Sequence, residues 1–145
     1  MKPRCVILAA EFARAIVDVM VDEAKAEAVA GGAEVVEVVC VPGAYETPLI
    51  ADRLLADPEI DFVVVLGFIE RGETQHGEVM GHVVQSTLVQ LQLKHGKPLG
   101  IGIIGPGATA EQAEKRKVDY ARAAVRAALH NWTLLQSREI SRIPY

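Results

Sequence analysis

The sequence predicts an α/β three-layer sandwich in which a four-stranded parallel sheet carries helices on both faces. Two observations predict it. Apolar runs rich in β-branched residues at 5–10, 35–41, 62–69 and 99–104 alternate with amphipathic segments at 12–30, 46–56, 78–95 and 110–136, the pattern of βαβ units. The run 62–66 is hydrophobic at every position, as in a strand covered on both faces. With 145 residues, 50% hydrophobic and 23% charged, the chain reads as one domain, 1–145, large enough to bury about 68–70% of its unfolded surface without disulfides or a structural metal.

Taken in order, the first strand carries Cys5 and the second Cys40, both within apolar runs rather than at metal-ligand spacing. They are expected as buried thiols in a reducing compartment. The first helix is expected to stop at Gly31-Gly32 and the third at Gly96, because glycine readily ends a helix. Asp57-Pro58 fits a turn ahead of the third strand, and Thr109 followed by Gln112 reads as a capping box for the last helix. The tail after Gln136 is expected to fray. The longest apolar stretch, 62–69, is far below the roughly 20 residues that span a bilayer. The N-terminal apolar run, interrupted at Glu11, is too short for a secretory signal. The expectation is therefore a cytoplasmic protein without a membrane anchor. A net charge of -4 with scattered Lys and Arg argues against nucleic-acid binding, which needs a basic face. The one basic cluster, Lys115-Arg116-Lys117, is either a solvated face or an anion site.

In open α/β sheets, ligands bind beyond the carboxyl ends of the strands, so the loops after the four runs are the candidates for chemistry. Phe12 follows the first strand as either a platform for a planar ligand or an apolar staple into the first helix. Pro42-Gly43-Ala44-Tyr45-Glu46 makes a tight turn ending in a carboxylate that accepts hydroxyl hydrogen bonds or caps a helix. The segment 70–76 joins a buried strand to a helix N-terminus, where free N–H groups and the helix dipole favour an anion and Thr74 adds a hydroxyl. His76 stands at the mouth of that loop, either exchanging protons with a substrate or making a local hydrogen bond. A metal site of His76, Glu78 and His82 fails on geometry. His76 is offset by about 200° from Glu78 around the helix, while Glu78 and His82 are spaced as an ordinary i,i+4 surface pair. No metal and no cofactor are expected.

Three separated segments, Val41-Pro42-Gly43-Ala44-Tyr45-Glu46, Leu66-Gly67 with Arg71-Gly72-Glu73-Thr74-Gln75-His76, and Gln112-Ala113-Glu114-Lys115-Arg116, resemble in order and spacing the signatures of the 6,7-dimethyl-8-ribityllumazine synthase family. The Gly-Pro-Gly loop at 105–107 and Val118-Asp119-Tyr120 are similar to its archaeal branch. The resemblance implies a flavodoxin-like fold and a cofactor-free condensation in riboflavin biosynthesis. In it 5-amino-6-(D-ribitylamino)uracil joins 3,4-dihydroxy-2-butanone 4-phosphate with release of phosphate and water. By the same resemblance Phe12 stacks on the pyrimidine, Ala44, Tyr45 and Glu46 lie along the ribityl chain and ring edge, and Phe68, Ile69 and Glu70 frame the uracil through backbone groups. Gly72, Glu73 and Thr74 hold the phosphate with Arg116, and His76 shuttles protons. A homopentamer is implied, with Phe12 and His76 from one chain and Ile101 and Arg116 from the next, and twelve such rings can close into a sixty-subunit shell.

Several positions depart from the family pattern. Ala13 stands where relatives often carry Asn, and Ile101 replaces a common aromatic, leaving one wall of the ring pocket aliphatic. The lysine-containing segment beyond Arg116 is shortened, so Arg122 is the nearest candidate for a second phosphate cation. The first strand begins almost at once, without the arm that many relatives lay across a neighbour, so a lone pentamer and a pair of pentamers stay open beside the shell. Two rival functions remain: an archaeal-type riboflavin synthase, and a non-catalytic flavin- or lumazine-binding shell protein. Retention of the 72–74 loop, His76 and Arg116 favours the condensation over both.

Overall fold

A computed structural model describes residues 2–137. Strands β1 (Arg4–Ala10), β2 (Glu34–Val41), β3 (Phe62–Glu70) and β4 (Leu99–Ala108) alternate with helices α1 (Arg14–Ala30), α2 (Thr47–Ala56), α3 (His76–His95) and α4 (Ala110–Gln136). The sheet order is β2-β1-β3-β4, with every neighbouring pair parallel. This is the expected three-layer α/β arrangement. The tail beyond Ser137 lies outside the described residues.

Side chains alternate across a strand with period two, and here the alternation divides the core into two layers. Ile7, Phe62, Val64 and Leu66 point to one face, where Met20 of α1 and Val125 of α4 close over them. Val6, Leu8, Val63 and Val65 point to the other, against Leu55 of α2 and Val84 and Leu88 of α3. From Phe62 to Ile69 every residue of β3 is buried, which accounts for the unbroken apolar run. Cys5, in the middle of this core, has its thiol pushed up to about 12 by burial and by the nearby Glu34 carboxylate, so it is held as an unreactive thiol. Cys40 departs from expectation. Although it is a free thiol like Cys5, it is exposed, because β2 is the edge strand and only its last residue, Val41, is buried.

The helix boundaries that differ from expectation all lie at the carboxyl end of the sheet. Helix α1 starts at Arg14 rather than Phe12 because Ala13 is left-handed, with φ 59° and ψ 59°, which leaves Phe12 in the loop. A 3-10 turn, Ala44–Glu46, precedes α2, and the buried Thr47 hydroxyl donates to the Ala44 carbonyl at 2.7 Å. Helix α3 begins at His76, two residues early. Strand β4 runs on through Gly105-Pro106-Gly107, because after a bulge Glu70 pairs with Ala108 and the Arg71 N–H donates to the Ala108 carbonyl at 2.7 Å. Gly105 is required there: its φ is +98° and a Cβ would run into the Ile69 carbonyl. Other signals sit where the sequence places them. Gly96 ends α3 in the left-handed conformation, Thr109 and Gln112 form the reciprocal capping box of α4, and Glu78 and His82 pair at 3.8 Å on the surface.

Candidate active site

The loops after β1, β2 and β3 close around a cavity of about 480 Å³ at the carboxyl end of the sheet. Phe12 enters from the first loop, and Pro42, Gly43, Ala44 and Glu46 from the second. Phe68, Ile69, Glu70, Gly72, Thr74 and His76 come from β3 and the loop behind it. The first two loops are tied together where the Glu11 N–H donates to the Val41 carbonyl at 2.8 Å. A slightly larger groove, about 530 Å³, lies between α1 and α4 beside Gly31, Arg126 and Trp132. It sits at the opposite end of the sheet, by the amino ends of the strands, and its charge is already paired, Arg126 to Glu27 at 2.6 Å.

Each wall of the smaller cavity offers a different chemistry. The Phe12 ring is 54% exposed, held out of the core by the left-handed Ala13 and therefore open to a planar partner. Glu46 makes no capping hydrogen bond to α2, and its carboxylate lies close over Gly43, 3.3 Å from where a Cβ would stand. That carboxylate keeps its oxygens for hydroxyl donors. Phe68 and Ile69 bury their side chains, so they meet the cavity chiefly through backbone. At the far wall the α3 N-terminus packs on the end of β3, with Gly77 in close approach to the Glu70 carbonyl. The His76 N–H donates to the Thr74 hydroxyl at 3.3 Å and the Val79 N–H to the Gln75 carbonyl at 3.0 Å, while the N–H groups of Gly77 and Glu78 between them have no partner within the helix. Such a helix end is chemically suited to an anion.

Other residues lie outside the cavity. Tyr45 is not on its lining; its ring stands edge-on to the His76 ring at 6.1 Å between centroids and 62° between planes. Glu73, the middle residue of the expected phosphate loop, is also off the lining. Ile101 faces a separate groove of about 500 Å³ with Gly81, Gln85, Val89 and Pro106. Arg116 sits in a shallow pocket against Gly105-Pro106-Gly107, Gln112 and Tyr120, its guanidinium donating, among the described residues, only to the Gln112 carbonyl at 3.2 Å. Its neighbours in the basic cluster are both paired, the exposed Lys115 with Glu111 and the half-buried Lys117 with Glu114. Arg122 is taken up elsewhere: it grips Glu23 across the α1–α4 contact at 2.8 and 2.9 Å. That pairing leaves nothing to support Arg122 as a phosphate cation. Met80, one turn into α3, lines the cavity and was not among the expected residues. An i+4 step from His76 along α3 is the signal that points to it. Among the described residues no group of three His, Cys, Asp or Glu is placed to hold a metal ion, and no helix is long and apolar enough to cross a membrane.

A parallel sheet whose carboxyl edge gathers an exposed aromatic ring, a carboxylate, a helix N-terminus and a histidine around one cavity is the arrangement of an α/β enzyme for a small-molecule substrate. The chain belongs to the 6,7-dimethyl-8-ribityllumazine synthase family, whose model matches residues 2–136. It is 43% identical over 129 residues to the 6,7-dimethyl-8-ribityllumazine synthase of Aeropyrum pernix, covering 88% of each chain. It is 44% identical over 123 residues to that of Metallosphaera sedula, covering 85% of this chain and 82% of the relative. With that of Methanoculleus marisnigri it shares 42% identity over 120 residues, 83% of this chain and 88% of the relative.

Proposed function

We propose that this chain condenses 5-amino-6-(D-ribitylamino)uracil with 3,4-dihydroxy-2-butanone 4-phosphate to form 6,7-dimethyl-8-(D-ribityl)lumazine, in riboflavin biosynthesis, with release of phosphate and water. The observation that carries it is the convergence of Phe12, Glu46, Thr74 and His76 on one cavity in a chain of this family. Phe12 takes the face of the pyrimidine, and Glu46, beside Ala44, accepts hydrogen bonds from the ribityl hydroxyls. Backbone groups of Phe68, Ile69 and Glu70 frame the uracil edge. The sugar phosphate lies at the α3 N-terminus against Gly72 and Thr74, where aligned N–H groups favour its charge before and during departure. The amine attacks the ketone carbon; His76 accepts the amine proton and returns one to the departing hydroxyl, giving the Schiff base and water. Much of the remaining acceleration comes from holding amine and ketone in register.

Among the described residues no Lys or Arg lines this cavity, while Arg116 and Ile101 lie in separate surface pockets beside β4. That division supports a site shared between subunits, with Arg116 and Ile101 of a neighbouring copy completing the half formed by Phe12 and His76. A homopentamer, alone or multiplied to a decamer or a sixty-subunit shell, is the assembly this implies. A cytoplasmic location fits two free thiols.

Mixing the two substrates with the protein and following the lumazine chromophore tests the reading. The chromophore should appear with one phosphate released per product. A protein that consumes added lumazine instead is the riboflavin synthase, and one that binds lumazine with no turnover of either kind is a carrier or shell protein. The phosphate-binding helix end favours the first, because lumazine dismutation has no phosphate to hold.

A further inference from the structure

We infer that Tyr45 is a positioning residue for His76 rather than a substrate contact; this rests on the proton-shuttle role proposed for His76. The flanking residues Ala44 and Glu46 both line the cavity and Tyr45 does not. The reason is local. These three residues form a single 3-10 turn, in which successive side chains point about a third of a turn apart. Two of them facing the cavity turn the third away. The turn is fixed from behind by the buried Thr47 hydroxyl on the Ala44 carbonyl, so the direction of the Tyr45 ring is set by backbone geometry.

What the ring meets there is the imidazole of His76, edge-on. A histidine that moves protons is generally oriented by a group that hydrogen-bonds its second ring nitrogen. Here His76 donates a hydrogen bond through its backbone N–H, to the Thr74 hydroxyl. Among the described residues its ring makes no hydrogen bond and no ion pair. The aromatic contact takes the orienter's place. Rotation of an exposed imidazole is otherwise limited only by its own rotamer preferences, and the Tyr45 ring narrows it to the orientations that face the cavity.

The test compares Tyr45→Leu and Tyr45→Gln, which remove the ring, with Tyr45→Phe, which keeps it and loses only the hydroxyl. In Y45L and Y45Q kcat should fall about tenfold, as for a displaced catalytic group, with KM for each substrate within about twofold. Y45F should recover most of the loss. A second readout does not depend on turnover. The chain has four histidines, so protein labelled with 13C only in histidine gives few ring signals, and His76→Asn identifies the one concerned. The His76 ring resonances should move in Y45L and Y45Q and stay in place in Y45F. The inference is overturned if either KM rises while kcat holds, which marks a substrate contact. It is equally overturned if the His76 resonances stay still in Y45L, if Y45F is as impaired as Y45L, or if Y45L and Y45Q both fail to fold, since that marks a structural role. Should the wild-type protein make no lumazine, the functional reading fails, and the resonance comparison alone decides the Tyr45–His76 coupling.

Discussion

Ala13 shows how one backbone angle builds half of the site. A non-glycine residue in the left-handed region costs roughly 1–2 kcal/mol, and Ala13 bears that cost at φ 59° so that the chain can turn Phe12 outward before α1 begins. Asn tolerates this conformation better and is also a good N-cap. Ala13→Asn should therefore raise stability by about 1 kcal/mol in denaturant titration while leaving Phe12 in place. A destabilised A13N would show that the turn is not left-handed in solution. No composition or periodicity signal reveals a left-handed alanine, which is why the helix was expected to start at Phe12. For the chemistry, His76→Ala should keep substrate binding and lower kcat by about 10²–10⁴-fold if proton transfer is its whole contribution. Unchanged turnover in a correctly folded H76A would remove His76 from the mechanism.

At the scale of elements, legibility in the sequence followed burial. β3 was readable because both its faces are covered, and α4 because its capping box is local chemistry, the Thr109–Gln112 pair. What sequence could not show depends on distant partners: Cys40 is exposed because of where β2 falls in the sheet order, and Arg122 is engaged by Glu23 from 99 positions away. The contact of α2 with α3 was equally hidden. Asp52 of α2 accepts from Lys94 at 2.8 Å and from His95 at 2.7 Å at the end of α3. Those hydrogen bonds hold its carboxyl below the ordinary value of 3.8. A carboxyl lowered in the folded state stabilises above its unfolded pKa, and the contribution is lost as pH falls through the folded value. Asp52→Asn should thus be less stable than wild type at pH 7, with the difference vanishing as both are titrated to about pH 2, well below the unfolded value. Equal stability at pH 7 would mean that the tether contributes nothing.

At the scale of the whole molecule, apolar side chains stand exposed on the side of α3 that faces away from the sheet. Helix α3 buries Val84 and Leu88 against the sheet, yet on its other side Val79, Val83, Val89 and Leu93 are exposed, Leu93 at 81%. A helix apolar on two faces suits burial on two sides, and under the proposed assembly a second copy of this chain would cover the outer face and complete the site. Cyclic symmetry then requires every cavity of a ring to meet the same neighbouring surface, so each His76 would face an Arg116 from the next subunit. Arg116→Ala alone should weaken binding of the sugar phosphate and spare the pyrimidine, because charge-assisted contacts to phosphate are roughly twice as strong as neutral ones. The most direct measurement of this account is the lumazine-forming activity of rings co-assembled from H76A and R116A chains, assayed at a sugar-phosphate concentration at which neither variant alone turns over measurably. Random mixing in equal amounts should restore activity at about a quarter of the sites, those pairing an intact His76 with an intact Arg116 across an interface. Hybrid rings that assemble and remain inactive would contradict it, and would place the whole site within one chain.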